Sequence, residues 1–128
     1  MNYPQAKLSA LQLQAQLQKS GDFLQLTRSH EYSMTAFNFE VHCTKKMAKT
    51  KVSVLDTGII MFEPLNHISS KDIVLSSAIH GNETAPIEIC NTLIKQLILG
   101  ELHFEHKTCL LYNSDHAHEE ERRELVSR

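Results

Sequence analysis

The feature that most constrains this chain is the segment His80-Gly81-Asn82-Glu83-Thr84-Ala85-Pro86. An apolar-rich run of strand length precedes it, and residues 83–99 place apolar side chains at helical spacing. A histidine where a strand ends and a glutamate three residues later, in the first helical turn, can converge on one metal ion. Zinc takes imidazole and carboxylate ligands at about 2.0–2.2 Å, and a catalytic zinc site has three protein ligands and a water. The sequence therefore predicts His80 and Glu83 as two zinc ligands.

The longer run over residues 74–91 resembles the succinylglutamate desuccinylases, which belong with aspartoacylase among the zinc carboxypeptidase-like amidohydrolases. A histidine and a glutamate three apart are a weak signal by themselves. The extended HGNETAPIE sequence after an apolar strand is much more specific. Gly58, Phe62, Glu63 and Pro64 also fit the family, and the resemblance covers roughly residues 1–107.

This resemblance implies both a fold and a function. The implied fold is α/β, of the zinc carboxypeptidase-like (phosphorylase/hydrolase-like) type, with a mixed sheet and flanking helices. The implied function is Zn²⁺-dependent hydrolysis of N-succinyl-L-glutamate to succinate and L-glutamate, in arginine catabolism. The small-molecule partner is then N-succinylglutamate. Zinc chemistry without the resemblance predicts only a zinc-dependent amide hydrolase.

The sequence departs from the family pattern after residue 110. Asn113 matches the asparagine of a family turn, but its neighbours lack the expected glycine and proline. We therefore expect an N-terminal fragment of the α/β fold. Residues 1–22 would form an N-terminal helix, residues 23–113 a partial zinc-hydrolase α/β domain, and residues 114–128 a divergent charged tail. The resemblance places the later histidine ligand and the glutamate general base beyond the chain end.

Two alternatives to an active desuccinylase stay open. The first alternative is a non-catalytic truncated remnant. The second is an aspartoacylase-like deacylase of another N-acylamino acid. If the 128 residues alone complete a zinc site, the third ligand is to be sought among four other histidines, namely His103, His106, His116 and His118. Glu88 is expected to face solvent rather than to act as the base, and Asn82 and Thr84 to stabilise the turn and helix start.

Composition excludes several classes of partner. A length of 128 residues suits one domain. A net charge of −2 gives no basic surface for nucleic acid. No run of about 18 apolar residues predicts a membrane span. Three cysteines, an odd number without metal-motif spacing, indicate reduced core thiols in a cytoplasmic protein. The oligomeric state is not predictable from these data.

Apolar periodicity predicts the remaining elements. A helix is expected over residues 5–19 and is predicted to end at Gly21. Its predicted stripe consists of Leu8, Leu11, Ala15 and Gln18, with Leu13 and Leu17 beside it. Strands are expected over residues 23–27, 35–43, 52–54, 58–62 and 106–112, and over residues 73–79 as a strand buried on both faces. The strand–helix–strand order at the end predicts a parallel pair. The turn over residues 44–51 carries Lys45, Lys46, Lys49 and Lys51, which we interpret as solvated; steering of an anionic substrate is the alternative.

Overall fold

A computed structural model describes residues 9–30, 34–66, 68, 71–78 and 84–113. Three helices and five strands lie within these ranges. In chain order they are α1 (Ala10–Ser20), α2 (Phe23–Ser29), β1 (Phe37–Cys43), β2 (Ala48–Asp56), β3 (Ile59–Pro64), β4 (Asp72–Ala78), α3 (Thr84–Ile98) and β5 (Lys107–Asn113). None of the helices in the described ranges is long and apolar enough to cross a membrane.

The five strands form one mixed sheet in the order β1-β2-β3-β5-β4. β1, β2 and β3 are antiparallel neighbours, and β5 runs antiparallel to β3. β4 pairs with β5 in parallel, and α3 connects the two strands along the chain. The predicted mixed sheet with flanking helices and the predicted parallel pair are both confirmed.

The main core fills the space between the helices and one face of the sheet. Alternate residues of β1, β2, β3 and β5 point to this face, as the period of a strand requires. The helices contribute Leu13, Leu17, Phe23, Leu24, Leu26, Ile87, Cys90, Ile94, Leu97 and Ile98. A smaller cluster of Ile59, Cys109 and Leu111 lies on the opposite face.

Helix α1 confirms one part of the sequence prediction and corrects another. Ser9 caps it through a capping box with Gln12, and Gly21 ends it with a φ of 67° and an N–H that donates to the Leu17 carbonyl. The buried side chains are Leu13 and Leu17, whereas Leu11 is 77% exposed. The predicted stripe through Leu11 is therefore wrong. The predicted helix start at residue 5 lies outside the described residues.

Residues 23–27 were expected to form a strand, and this prediction is wrong because they begin helix α2. The Asp22 carboxylate accepts a hydrogen bond from the Gln25 N–H at 3.0 Å and caps the helix. Phe23, Leu24 and Thr27 are buried at a spacing that fits one face of a helix. Short apolar runs fit both periods, so alternation alone did not distinguish strand from helix.

The lysine-rich turn is shorter than predicted. Only residues 44–47 form the turn, while Lys49 and Lys51 belong to β2. Met47 occupies the turn with a positive φ of 51°. The predicted strand over residues 52–54 is therefore only the middle of a longer one.

Strand β4 was expected to be buried on both faces, and this is wrong for the described residues. Ile73, Val74 and Leu75 are 38%, 50% and 37% exposed. The physical reason is the strand order, because β4 lies at the edge of the described sheet and pairs there only with β5. An apolar strand at an edge presents unpaired backbone groups together with apolar side chains.

Replacing Gly100 by alanine should destabilise the fold. Gly100 ends α3 with a φ of 80°, and a Cβ atom there would lie 2.9 Å from the His42 carbonyl oxygen. We expect Gly100→Ala to lower the free energy of unfolding by about 2 kcal/mol, because the left-handed conformation and the close backbone approach both disfavour a side chain. Urea unfolding measures this, with the exposed Gln96→Ala on the same helix as control. Equal stability of both variants would contradict the backbone geometry.

The exposed edge of β4 should promote association of the chain. We expect concentration-dependent self-association, and Val74→Lys should reduce it because a charge on an edge strand opposes strand pairing. Sedimentation velocity over a series of protein concentrations measures this. Asn38→Lys adds the same charge to β1, the other edge strand, and should leave association unchanged. Monomeric wild-type protein at every concentration would refute the prediction.

Candidate functional site at the β4–α3 connection

The segment with the two predicted zinc ligands connects β4 to α3. β4 ends at Ala78 and α3 begins at Thr84, so residues 79–83 form the link. His80 and Glu83 lie within that link and outside the described residues. The strand before them and the helix after them have the predicted type. The pair itself stays a prediction.

The parallel register brings the ends of two strands together at this link. Asp72 of β4 is level with Lys107 of β5, and Ala78 at the end of β4 is level with Asn113 at the end of β5. In open α/β sheets, ligands bind in the crevice outside the carboxyl ends of the strands. The link over residues 79–83 therefore starts at the edge of the sheet where such sites form.

Beneath this edge the sheet is held by buried aromatic packing. Tyr112 is fully buried, is level with Ser77 of β4, and stacks on Phe23 with ring centroids 5.9 Å apart. The Tyr112 N–H donates to the Gly58 carbonyl at 2.7 Å. Burial raises the pKa of the Tyr112 phenol, and Cys90 and Asp22 raise it further. Tyr112 thus stays neutral at physiological pH and packs as a core residue.

Helix α3 is anchored below its first turn by apolar and polar contacts. Ile87, Cys90 and Ile94 are buried against the sheet. The Asn91 side chain accepts from the Leu24 N–H and donates to Asp22, both at 3.3 Å. Glu88 is exposed, as predicted. Sequence reasoning missed Asn91, since one partner, Leu24, lies in a segment expected to be a strand and the other, Asp22, at the end of the preceding helix segment.

The cysteines are core thiols, as the sequence predicted. All three are free and buried. Burial raises the pKa of the Cys90 thiol, and it raises that of Cys109 to about 11 in spite of the nearby positive charge of Lys107. Because the thiolate is the nucleophilic form, neither of these two thiols is suited to nucleophilic catalysis near neutral pH.

The other histidines do not assemble a metal site within the described ranges. His103 Nδ1 lies 3.2 Å from the Thr50 hydroxyl, and His106 Nδ1 is buried. Among the described residues, no group of three or more histidine, cysteine, aspartate or glutamate side chains is arranged to hold a metal. His67, His116 and His118 lie outside the described residues. The identity of the third ligand stays a prediction.

The four lysines of the β1–β2 region lie far from the candidate site. The register places residues 48–51 of β2 opposite the end of β3, while the start of β3 lies next to the end of β5. The lysines are thus at the opposite end of the sheet, on the order of 15 Å or more away at 3.3 Å per strand residue. Such a distance exceeds the Debye length of about 8 Å. This favours the solvated turn over a role in substrate steering.

A shallow groove of about 350 Å³ runs along the outer side of α3. Ile89 and Leu93 supply its apolar lining, with Thr92 and Glu88 beside them. Among the described residues that line the groove, Glu88 alone is charged, and its carboxylate would repel an anionic acylamino acid. The groove is therefore poorly suited to bind N-succinylglutamate.

Comparison with known proteins gives consistent matches to one family. Residues 69–124 match the model of the succinylglutamate desuccinylase/aspartoacylase catalytic domain. This match ends later in the chain than about residue 107, where the resemblance was expected to end. A succinylglutamate desuccinylase of Shewanella pealeana is 46% identical over 97 residues, covering 75% of this chain and 27% of the relative. One of Shewanella piezotolerans is 50% identical over 88 residues, covering 68% and 24%.

Two solved structures share the fold. The succinylglutamate desuccinylase from Vibrio cholerae aligns with a TM-score of 0.57 at 22% identity, over 70% of this chain and 25% of that one. The enzyme from Vibrio parahaemolyticus gives 0.52 at 21% identity, over 80% and 32%. At these identities the likeness shows the fold alone.

The mixed sheet and its structural neighbours define a zinc carboxypeptidase-like α/β fold, as predicted. With the sequence matches, the chain belongs to the succinylglutamate desuccinylase/aspartoacylase family. It spans about a quarter of the length of the curated relatives it matches. The division of the chain at residues 22 and 113 stays a prediction.

Proposed function

We propose that His80 and Glu83 are two ligands of a zinc-dependent amide hydrolase that acts on N-succinyl-L-glutamate. The observation that supports this most is the position of the link over residues 79–83. It starts at the carboxyl end of β4, where the parallel strand β5 also ends. Family membership and the names of the relatives support the substrate. Because the chain spans 27% of the Shewanella pealeana enzyme, the activity proposed is that of a complete family enzyme.

The donor chemistry of the link fits zinc. An imidazole and a carboxylate are both common zinc ligands, and catalytic sites with two histidines and one glutamate are well known. Glu83 immediately precedes the first residue of α3. The N-terminal end of a helix favours a negative charge, so it would keep the Glu83 carboxylate ionised and able to bind a cation. The third ligand and the general base remain unassigned.

Each residue has a definite task in the proposed reaction. Zinc, when bound, polarises the amide carbonyl and lowers the pKa of a water molecule. His80 would bind zinc as the neutral imidazole, so zinc affinity should fall as the pH is lowered. Glu83 contributes a charged oxygen at the start of α3. Ala78 and Thr84 fix the two ends of the link by belonging to β4 and α3.

Deacylation of another N-acylamino acid is a second candidate. The family model that matches residues 69–124 combines succinylglutamate desuccinylase with aspartoacylase. A chimera in which this chain replaces the matching part of the Shewanella pealeana enzyme separates the two. Faster hydrolysis of N-succinylglutamate than of N-acetylaspartate supports the first candidate, and the reverse preference supports the second. A folded, zinc-bound chimera that hydrolyses neither contradicts both.

His80→Ala and Glu83→Ala should each weaken zinc binding by the 128-residue chain. Two protein ligands bind zinc less tightly than three, so we expect weak binding and little hydrolysis by the chain alone. Loss of either ligand should reduce zinc affinity by more than about 10-fold. Mutating a residue that only hydrogen-bonds to a metal ligand already costs about 10-fold or more, and losing the ligand itself should cost more. Isothermal titration calorimetry measures this.

The exposed His42 provides the matched control, and His42→Ala should bind zinc like the wild type. Identical affinities in all four proteins would show that zinc binds elsewhere. Tight stoichiometric zinc with measurable N-succinylglutamate hydrolysis by the wild-type chain would instead require a third ligand within it.

A further inference from the structure

The side chain of Asn91 joins two helices that are distant in sequence. Its Oδ1 atom accepts from the Leu24 N–H at 3.3 Å, and its Nδ2 atom donates to Asp22 Oδ1 at 3.3 Å. Asp22 also accepts from the Gln25 N–H at 3.0 Å. Asn91 and Asp22 therefore cap the first turn of α2 together, because the first N–H groups of a helix have no partner within it.

These hydrogen bonds fix α3 in a way that its apolar contacts do not. Ile87, Cys90 and Ile94 press α3 against the sheet, and such contacts are non-directional. A hydrogen bond has a preferred distance and angle. The pair of bonds at Asn91 thus restrains both the rotation of α3 about its axis and its position along that axis.

Asn91 lies seven residues beyond Thr84, the first residue of α3, which is about 10 Å along the axis at 1.5 Å per residue. Ile94, Leu97 and Ile98 are buried and hold the second half of α3 against the core, so a displacement permitted at Asn91 affects mainly the first half of the helix. Glu83 immediately precedes the first turn in the sequence. The anchor at Asn91 therefore acts on the helical turn that follows Glu83.

We propose that Asn91 is a positioning residue that anchors α3 on the N-terminus of α2, and so holds the first turn of α3, which Glu83 immediately precedes in the sequence. This rests on the proposed role of Glu83 as a zinc ligand. Asn91 does not touch the metal or the substrate in this proposal. Its effect on zinc binding is transmitted through the first half of α3, with α2 as the fixed point.

Four variants of the full chain test this proposal. Asn91→Ala removes both hydrogen bonds, and Asn91→Asp keeps the acceptor for Leu24 but places a carboxylate against Asp22. The exchanged pair Asp22→Asn with Asn91→Asp restores one amide and one carboxylate, and asparagine caps a helix as well as aspartate does. Thr92→Ala, on the exposed side of α3, is the matched control.

Two measurements are made on each variant. Amide hydrogen exchange without metal compares Glu88 and Ile89, whose N–H groups close the first turn of α3, with Leu97 and Ile98 in its last turn. We expect about 10-fold faster exchange at the first turn only, for both single Asn91 variants. Zinc titration should show about 5-fold weaker binding in the same two variants. The exchanged pair should restore both values.

The outcomes separate this proposal from the proposed function. Unchanged exchange at Glu88 and Ile89, or faster exchange confined to α2, overturns the anchoring by Asn91 whatever zinc does. Faster exchange with unchanged zinc affinity overturns the link to Glu83. If the wild-type chain binds no zinc through His80, the proposed function fails, and the exchange data alone decide whether Asn91 anchors α3. Should Asn91→Ala not fold, Asn91→Asp and the exchanged pair carry the test.

Discussion

The parallel pairing of β4 with β5 is the constraint on which the candidate site depends. Two parallel neighbours require a crossover, and α3 provides it on the side of the sheet that carries the main core. The pairing places the ends of β4 and β5 side by side at Ala78 and Asn113. The link that carries the two predicted ligands begins after Ala78, at that same edge.

The core beneath that edge explains why the edge is well defined. Tyr112 of β5 stacks on Phe23 of α2, and Asn91 of α3 bonds to residues beside Phe23. The short helix α2 therefore contacts both the strand and the helix that flank the site. Such a helix of seven residues is too short to be stable alone, so its capping and burial hold it in place. The helix that follows the predicted ligands thus depends on residues 67 and 69 positions earlier in the chain than Asn91.

Sequence patterns predicted much of this fold, and the failures have physical causes. The long α3 and the mixed sheet follow from periodicity and from the family motif. Helix α2 was missed because Phe23, Leu24 and Thr27 fit both a strand and a helix, and only the Asp22 cap distinguishes them. The burial of β4 was wrong because strand order decides exposure, and order depends on pairing between distant residues. For the same reason Asn91 was not recognised from the sequence, whereas the signal that predicts His80 and Glu83 as ligands is local, and that pair stays a prediction.

The most direct test of the account is anomalous diffraction at the zinc edge from crystals of the chain grown with zinc. We expect a peak beyond the end of β4, within about 2.2 Å of a His80 ring nitrogen and a Glu83 carboxylate oxygen. The peak should also lie near the end of β5, which is level with the end of β4. A peak held by other histidines, such as His103 or His116, with His80 and Glu83 directed apart, would contradict the central claim.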